Sequence, residues 1–313
     1  MTRVLLLGAD GAAARGVKNC LKLAGGYEII ESDHAWGAKT DIDLLDLIGQ
    51  EQPHVVHAQP DEEVERVSRL RSEIRNLGCA VFLPRKEVIT LCQDKWETYK
   101  ALKRCEVPVP DTDLPGHWKR FDGKILHVRP RWGAGGKKSF QGTWRQIREV
   151  ALPASEGWSK FTLAERLPGP TVTWQGIYSN GRLIVSQQRR RLAWTHGDRG
   201  SCLVGETYSD ALHNKIALDA VFAVDMMAHG IWGVDMTLDA EGYPRVTEIN
   251  IGRFFTTIEF FAQAGVNFPD IAMRLALGED VEPIGSNPLP NHLRWERAID
   301  ALPVLKNPAL CTF

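Results

Sequence analysis

The sequence predicts an α/β protein of more than one lobe, and three observations predict it. Through residues 1–90, short apolar runs of strand length alternate with helical segments. From Ile125 onward the pattern becomes strand-rich. At 313 residues the chain is too long for one small domain and suits two or three lobes.

The first lobe is the most regular. Residues 4–7, 28–30, 54–57 and 80–83 are apolar runs of strand length. Helical segments lie between them, the clearest over 61–77, where Val64, Val67, Leu70, Ile74 and Leu77 recur at three- and four-residue steps. Strand, helix, strand, helix means βαβ units and a parallel sheet. The turn after the first strand reads Gly8-Ala9-Asp10-Gly11-Ala12-Ala13-Ala14-Arg15-Gly16. In a dinucleotide fingerprint the second glycine lets the backbone approach a pyrophosphate, and here Asp10 stands in that place. Its bulk and negative charge disfavour an NAD site, so the segment reads as a tight strand-to-helix turn in a Rossmann-like lobe.

A second unit begins near Pro84. Residues 87–105 are helical in pattern and stop before Val107-Pro108-Val109-Pro110, whose prolines favour extended chain. Strands are expected at 125–129, 160–164, 171–178 and 182–188, and a long helix at 209–230. Two further strands, 232–238 and 245–249, flank the hairpin turn Asp239-Ala240-Glu241-Gly242. The tail from Asn267 holds one more helix and a proline-rich stretch over 283–290. The expected units are 1–84, 85–158 and 159–313.

Composition narrows the function classes. A net charge of −1 gives no electrostatic reason to expect nucleic acid or an acidic membrane as partner. No apolar run approaches the roughly 18 residues of a membrane span, and the apolar stretch after Met1-Thr2-Arg3 is too short for a signal peptide. The six cysteines (Cys20, Cys79, Cys92, Cys105, Cys202, Cys311) include no C-x-x-C pair, so reduced thiols and a cytoplasmic location are expected.

Four features carry chemistry. Asp94-Lys95 opens a helix. A strand ending in Arg129-Pro130 leads to the glycine-rich Gly133-Ala134-Gly135-Gly136-Lys137-Lys138. Ala164-Glu165-Arg166-Leu167-Pro168-Gly169 follows, and then Gly233-Val234-Asp235-Met236 with Glu248-Ile249-Asn250. Each alone has a bland reading: a solvated lysine, a flexible loop, a pair of surface carboxylates. The hairpin resists that reading best. Asp235 and Glu248 lie at similar distances on either side of the turn and can meet across the ladder, while Glu248 and Asn250 share a face. Two carboxylates held close repel unless a cation neutralises them. Oxygen donors without His or Cys indicate Mg²⁺ (or Mn²⁺), the usual escort of nucleotide phosphates. The glycine-rich backbone can cradle phosphate, with Lys95, Arg129 and Lys137 supplying charge.

On these residues, the chain from about 85 to 275 resembles the ATP-grasp fold. It looks closest to the ATP-binding halves of the carbamoyl phosphate synthase large chain and to carboxylate–amine ligases of the D-alanine–D-alanine ligase kind. The first eighty or so residues resemble the Rossmann-like (pre-ATP-grasp) lobe that precedes this fold. The resemblance implies that Lys95 and Arg129 reach ATP phosphate, and that Gly133, Gly135, Gly136 and Lys137 belong to a flap over it. It implies that Glu165 and the backbone at Leu167 hold adenine, and that Asp235, Glu248 and Asn250 bind magnesium. Arg253 would meet the transferred phosphate. The hinge departs from the family pattern, with Thr171 in place of the ribose-binding Glu. The magnesium motif departs too, reading Glu248-Ile249-Asn250-Ile251-Gly252-Arg253 without its proline and with the arginine one position late. At this length a complete carbamoyl phosphate synthase is excluded as a single chain.

The implied activity is ATP-dependent joining of a small-molecule carboxylate to an amine through an acylphosphate, with a homodimer left open. Alternatives are bicarbonate activation through carboxyphosphate, an NAD oxidoreductase built on the first lobe, and a nucleotide-binding regulator without catalysis. Between hinge and hairpin runs Arg189-Arg190-Arg191-Leu192-Ala193-Trp194-Thr195-His196-Gly197-Asp198-Arg199. Strand alternation points Arg189 and Arg191 one way and Arg190 the other. Either this is a solvated edge strand, or Arg191 or Arg199 binds a substrate carboxylate or phosphate bidentately. Thr195-His196-Gly197-Asp198 faintly resembles the H-T-G-D segment near the synthase's bicarbonate site, which would let His196 orient substrate.

Overall fold

Three sheets follow one another along the chain in the computed structural model, which describes residues 1–33, 39–133, 138–149, 157–196, 199–297 and 304–306. The first contains β1 (Thr2–Leu7), β2 (Tyr27–Ser32), β3 (Val55–Ala58) and β4 (Ala80–Val81), in the order β2-β1-β3-β4. Its pairings are all parallel. Between the strands lie α1 (Ala12–Ala24), α2 (Asp41–Glu51), α3 (Asp61–Arg69) and α4 (Arg71–Asn76). This is the βαβ lobe that the periodicity implies, and the α/β fold class is borne out.

Two helices expected as continuous are broken. The 61–77 segment divides at Leu70, whose φ of −92° and ψ of 14° leave the helical region. The 87–105 segment divides into α5 (Lys86–Gln93) and α6 (Lys95–Arg104) at Asp94. Asp94 is extended (φ −93°, ψ 107°), and its carboxylate accepts from the Trp96 N–H at 3.0 Å, capping α6. The capping interaction outcompetes helix continuation there.

The second sheet has the order β5-β8-β6-β7, from β5 (Thr112–Asp113), β6 (Leu126–Pro130), β7 (Phe140–Gly142) and β8 (Phe161–Glu165). Because β8 pairs with β5 and β6, this sheet runs past residue 158, where the sequence suggested the third unit. The third sheet is eight-stranded. It runs β13-β12-β9-β10-β11-β15-β16, with β14 beside β10. The strands are β9 (Thr171–Ser179), β10 (Arg182–His196), β11 (Arg199–Tyr208), β12 (Gly230–Leu238), β13 (Pro244–Ile251), β14 (Gly285–Ser286), β15 (Arg294–Glu296) and β16 (Val304–Lys306). β10 is longer than its apolar core suggested, and β11 has no counterpart among the expected strands. The helix expected over 209–230 is confined to Ala211–Val224. Asp210 caps its start by accepting from His213 N–H at 2.9 Å, and Asp225 ends it in an extended conformation.

The lobes are packed on one another. A Cβ at Gly252, just after β13, would lie 2.7 Å from Val64 of α3. The first lobe thus abuts the end of the hairpin strand. Trp174, Trp232 and Trp295 are fully buried, with Trp174 donating to Asn214 Oδ1 at 3.0 Å. Trp118 stacks on Trp144, which meets Trp158 at a tilt, and Trp158 leads on to Phe161 of the second sheet. Much of the tryptophan content is therefore packing. Among the described residues, no helix is long and apolar enough to cross a membrane.

Candidate functional site

The hairpin of β12 and β13 sets the site. Asp235 pairs directly with Glu248, and Gly233 with Asn250, so the two carboxylates expected to approach across the ladder do meet. Asp239 closes that turn, its carboxylate accepting from Glu241 N–H at 3.1 Å and Tyr243 N–H at 2.8 Å. A register shift follows Asp235, and Thr247 is the extra residue. Its hydroxyl donates to the Asp235 carbonyl at 3.1 Å, which fixes the strand where both carboxylates project.

Cations surround these carboxylates. Arg191 Nη2 donates to Asp235 Oδ1 and Oδ2, both at 2.8 Å. β10 is interior to its sheet, paired with β9 and β11, and Arg191 is only 17% exposed, so the solvated-edge reading fails. Arg189, on the same face, is buried against the Phe255 ring, 5.1 Å from its centroid. Burial pulls its guanidinium down to about 10, and its Nε and Nη1 have no hydrogen-bond partner among the described residues. Arg190 points the other way, over Tyr208. Asn250 Nδ2 donates to Asp235 Oδ2 at 3.3 Å.

Lys95, the first residue of α6, lies 3.1 Å from Glu248 Oε1 and donates to the Gly133 carbonyl at 2.5 Å. It thereby links the hairpin to the start of the glycine-rich run. Arg129, at the end of β6, donates to the Thr247 carbonyl. Burial pushes Arg129 below its ordinary value, with Glu248 and Asp235 offsetting part of the shift. Burial also pushes the Glu248 carboxyl up, but Lys95, Arg129 and Arg253 outweigh it and hold the group below the usual carboxylate range.

Two partners in the site carry no sequence signal of their own. Arg131 Nε donates to Asp94 Oδ1 at 3.0 Å, and Lys95 N–H donates to the Arg131 carbonyl at 3.0 Å, so the cap of α6 is tied to the strand before the glycine run. Asp61, from the first lobe, accepts from Arg253 Nε and Nη2. Burial lowers the Arg253 guanidinium, but Asp61, with Glu248 and Asp235 behind it, outweighs this and leaves it above its ordinary value. Arg253 Nη2 also donates to Asn250 Oδ1 at 2.6 Å. A cleft lined by Asp61, Lys95, Gly133, Glu248, Asn250 and Arg253 joins these groups.

The hinge residues stand at the end of β8. The Glu165 side chain accepts from the Asp111 N–H at 2.8 Å, and Leu167 is half-buried. A Cβ at Gly169 would lie 2.6 Å from the Leu238 carbonyl, so only glycine lets the hinge pass the hairpin. The Thr171 hydroxyl lies 3.4 Å from that of Thr237. Gly133 has a φ of +98°, while Gly135, Gly136 and Lys137 lie outside the described residues. His196 and Arg199 pair at the tip of the β10–β11 hairpin, and their side chains lie outside the described part.

The donor set fits a hard divalent cation: two carboxylates and an amide, converging on one face of a hairpin, with no nitrogen or sulfur ligand. Among the described residues there is no group of three or more His, Cys, Asp or Glu side chains that could hold a metal, and the triad does not contradict this because its third member is Asn250. The surrounding arginines and lysine suit a polyanion.

The profile of the ATP-grasp domain matches residues 92–257, over half of the chain and all of this hairpin. The chain belongs to the ATP-grasp family. The resemblance read from the sequence is thereby borne out. No curated protein matches the chain by sequence. Solved ATP-grasp structures align over most of its length. N5-carboxyaminoimidazole synthetase from Staphylococcus aureus, complexed with ADP, is 14% identical with a TM-score of 0.75, covering 95% of this chain and 82% of that one. The biotin carboxylase domain of 2-oxoglutarate carboxylase from Hydrogenobacter thermophilus, in complex with MgADP, ADP and bicarbonate, is 16% identical with a TM-score of 0.71, covering 94% and 74%. D-alanine–D-alanine ligase from Bacillus anthracis is 16% identical with a TM-score of 0.64, covering 89% and 98%. At these identities the likeness is one of fold.

Proposed function

We propose that this ATP-grasp chain is an ATP- and Mg²⁺-dependent ligase that activates a small carboxylate as an acylphosphate and joins it to an amine. The observation that carries this reading is the pairing of Asp235 with Glu248 beside Asn250, ringed by Lys95, Arg129, Arg191 and Arg253. Three neighbours in fold point the same way: their structures hold ADP, hold MgADP with bicarbonate, or belong to a ligase that joins two amino acids.

Asp235, Glu248 and Asn250 would hold Mg²⁺, which when bound neutralises the phosphate oxygens and orients them for in-line transfer. The chain's own residues do the rest. Lys95 and Arg129 bind phosphate oxygens, and Arg253 faces the phosphoryl group in transfer. Glu165 and the Leu167 backbone flank adenine. A carboxylate oxygen of the acid attacks the γ-phosphorus, ADP leaves, and an acylphosphate remains. The amine then attacks the carbonyl carbon, loses a proton and expels phosphate, giving an amide. The glycine-rich run starting at Gly133, tethered through its carbonyl to Lys95, keeps water from the acylphosphate. To Arg191, His196 and Arg199, which belong to β10 and β11, we assign binding of the acid.

The test is a panel of amino acids, small acids and bicarbonate, with and without amines, scored by stimulated ADP release and by product mass. An acid and an amine that together stimulate ADP release and yield an amide would support the reading. Stimulation by bicarbonate alone, with carbamoyl phosphate formed on adding ammonia, would replace the amide product with that one. MgATP binding with no stimulated turnover across the panel would favour a regulator instead.

A further inference from the structure

Arg253 is held from two sides, and one of them belongs to the first lobe. Its backbone is clamped by Gln175 of β9, a fully buried side chain. Gln175 Nε2 donates to the Arg253 carbonyl at 3.4 Å, and its Oε1 accepts from the Phe255 N–H at 2.9 Å. Its guanidinium is clamped by Asp61, 192 positions earlier, through Nε and Nη2. Asp61 is itself fixed. It is the first residue of α3, its carbonyl accepts from Gln93 Nε2 at 3.1 Å, and α3 bears on Gly252 through Val64. Arg253 Nη1 has no partner among the described residues, and the guanidinium lines the cleft that holds Lys95 and Glu248.

Three other contacts of the site's cations differ from this one in a specific way. Lys95 is paired with Glu248, Arg191 with Asp235, and Arg253 Nη2 also rests on Asn250. All three of those oxygen-bearing side chains are the ones that would turn to the metal. Asp61 is outside that donor set and sits in a different lobe. Its contact with Arg253 would persist if a metal and phosphates took over those three.

We propose that Asp61 is a positioning residue for phosphoryl transfer. Its carboxylate aims Arg253 so that the free edge of the guanidinium meets the phosphate, and the first lobe thereby takes part in the chemistry through one ion pair. This rests on the functional reading above. An arginine fixed before the reaction loses no orientational freedom during it, and small misplacements of such groups cost up to about a hundredfold in rate.

The test compares Asp61→Asn, Asp61→Glu, Arg253→Ala and the double variant Asp61→Asn/Arg253→Ala in ADP release from MgATP. Asp61→Asn is expected to lower kcat by about ten- to a hundredfold with little change in the KM for ATP. Asp61→Glu, which keeps the charge, should recover part of that loss and stands in should the Asn variant fold poorly. In the Arg253→Ala background, Asp61→Asn should cause no further loss, since the carboxylate acts through that arginine. Mn²⁺ affinity, followed by electron paramagnetic resonance, should be unchanged in Asp61→Asn. An impaired Arg253→Ala beside a normal Asp61→Asn overturns this proposal and leaves the ligase reading standing. A normal Arg253→Ala removes both this proposal and the role given to Arg253. Losses that multiply in the double variant, or weakened Mn²⁺ binding in Asp61→Asn, also overturn it.

Discussion

Arg191 grips Asp235 through a single nitrogen, Nη2, which stands 2.8 Å from each carboxylate oxygen. A cation of the protein therefore occupies the oxygens that the proposed metal would use. Arg191→Ala removes this competitor, so Mg²⁺ or Mn²⁺ alone should bind more tightly and raise the melting temperature more than in the wild type. ATP turnover should nevertheless fall, because the same guanidinium is then missing for the anionic substrate. A thermal-shift titration with each metal, without nucleotide, decides this. An unchanged metal response would show that Arg191 does not compete for Asp235.

Glu248 is the second carboxylate, and its loss should be more damaging. Glu248→Gln keeps the shape, removes the charge, and should lower ADP release by about a hundredfold or more. Near-normal turnover in a properly folded variant would sink the metal assignment.

The same residue sets an expected pH dependence. Its folded carboxyl lies below its ordinary value, because the surrounding cations outweigh burial. A depressed carboxyl contributes stability that is fully present above its unfolded pKa, near 4.3, and is lost as pH falls toward the lower folded value. Glu248→Gln should therefore lose less stability than the wild type in that acid window, measured by denaturant unfolding from pH 6 downward. Parallel acid profiles would place the acid sensitivity elsewhere.

Nucleotide choice separates the two lobes as binding sites. MgATP should raise the melting temperature by mass action, and NADH should not, since Asp10 occupies the turn that a pyrophosphate would approach. Protection by NADH without protection by ATP would reverse the assignment.

Asp94 joins a helix cap to an ion pair, accepting from the Trp96 N–H at 3.0 Å and from Arg131 Nε at 3.0 Å. Both side chains of the pair are largely buried, with Arg131 at 19% and Asp94 at 8% exposure. Asp94→Ala leaves the cap unmade and the guanidinium unpaired, and should destabilise the protein by about 3–5 kcal/mol. Urea unfolding measures it. A change below about 1 kcal/mol would mean that water replaces both contacts.

Short-range pattern is legible in the chain before it folds. Period-two and period-3.6 runs specify the parallel first lobe, because each strand and helix there reports its own buried face. The turn at Asp239 is legible, and counting from it brings Asp235 near Glu248 with Asn250 on the same face, but their direct pairing needs the bulge at Thr247. Lys95 and Arg129 are legible through the ordered set of family motifs, and the alternation of Arg189, Arg190 and Arg191 holds in β10. Tertiary structure decided the rest. The break at Asp94 has a partner outside the helices, Arg131, and local periodicity continues across it as it does across Leu70. Arg191 meets Asp235 over 44 positions, Arg131 meets Asp94 over 37, and Arg253 meets Asp61 over 192. No periodicity spans such distances. These contacts exist because three sheets and their helices pack onto one cleft, and a charge carries no mark in the sequence of the opposite charge that packing will bring to it.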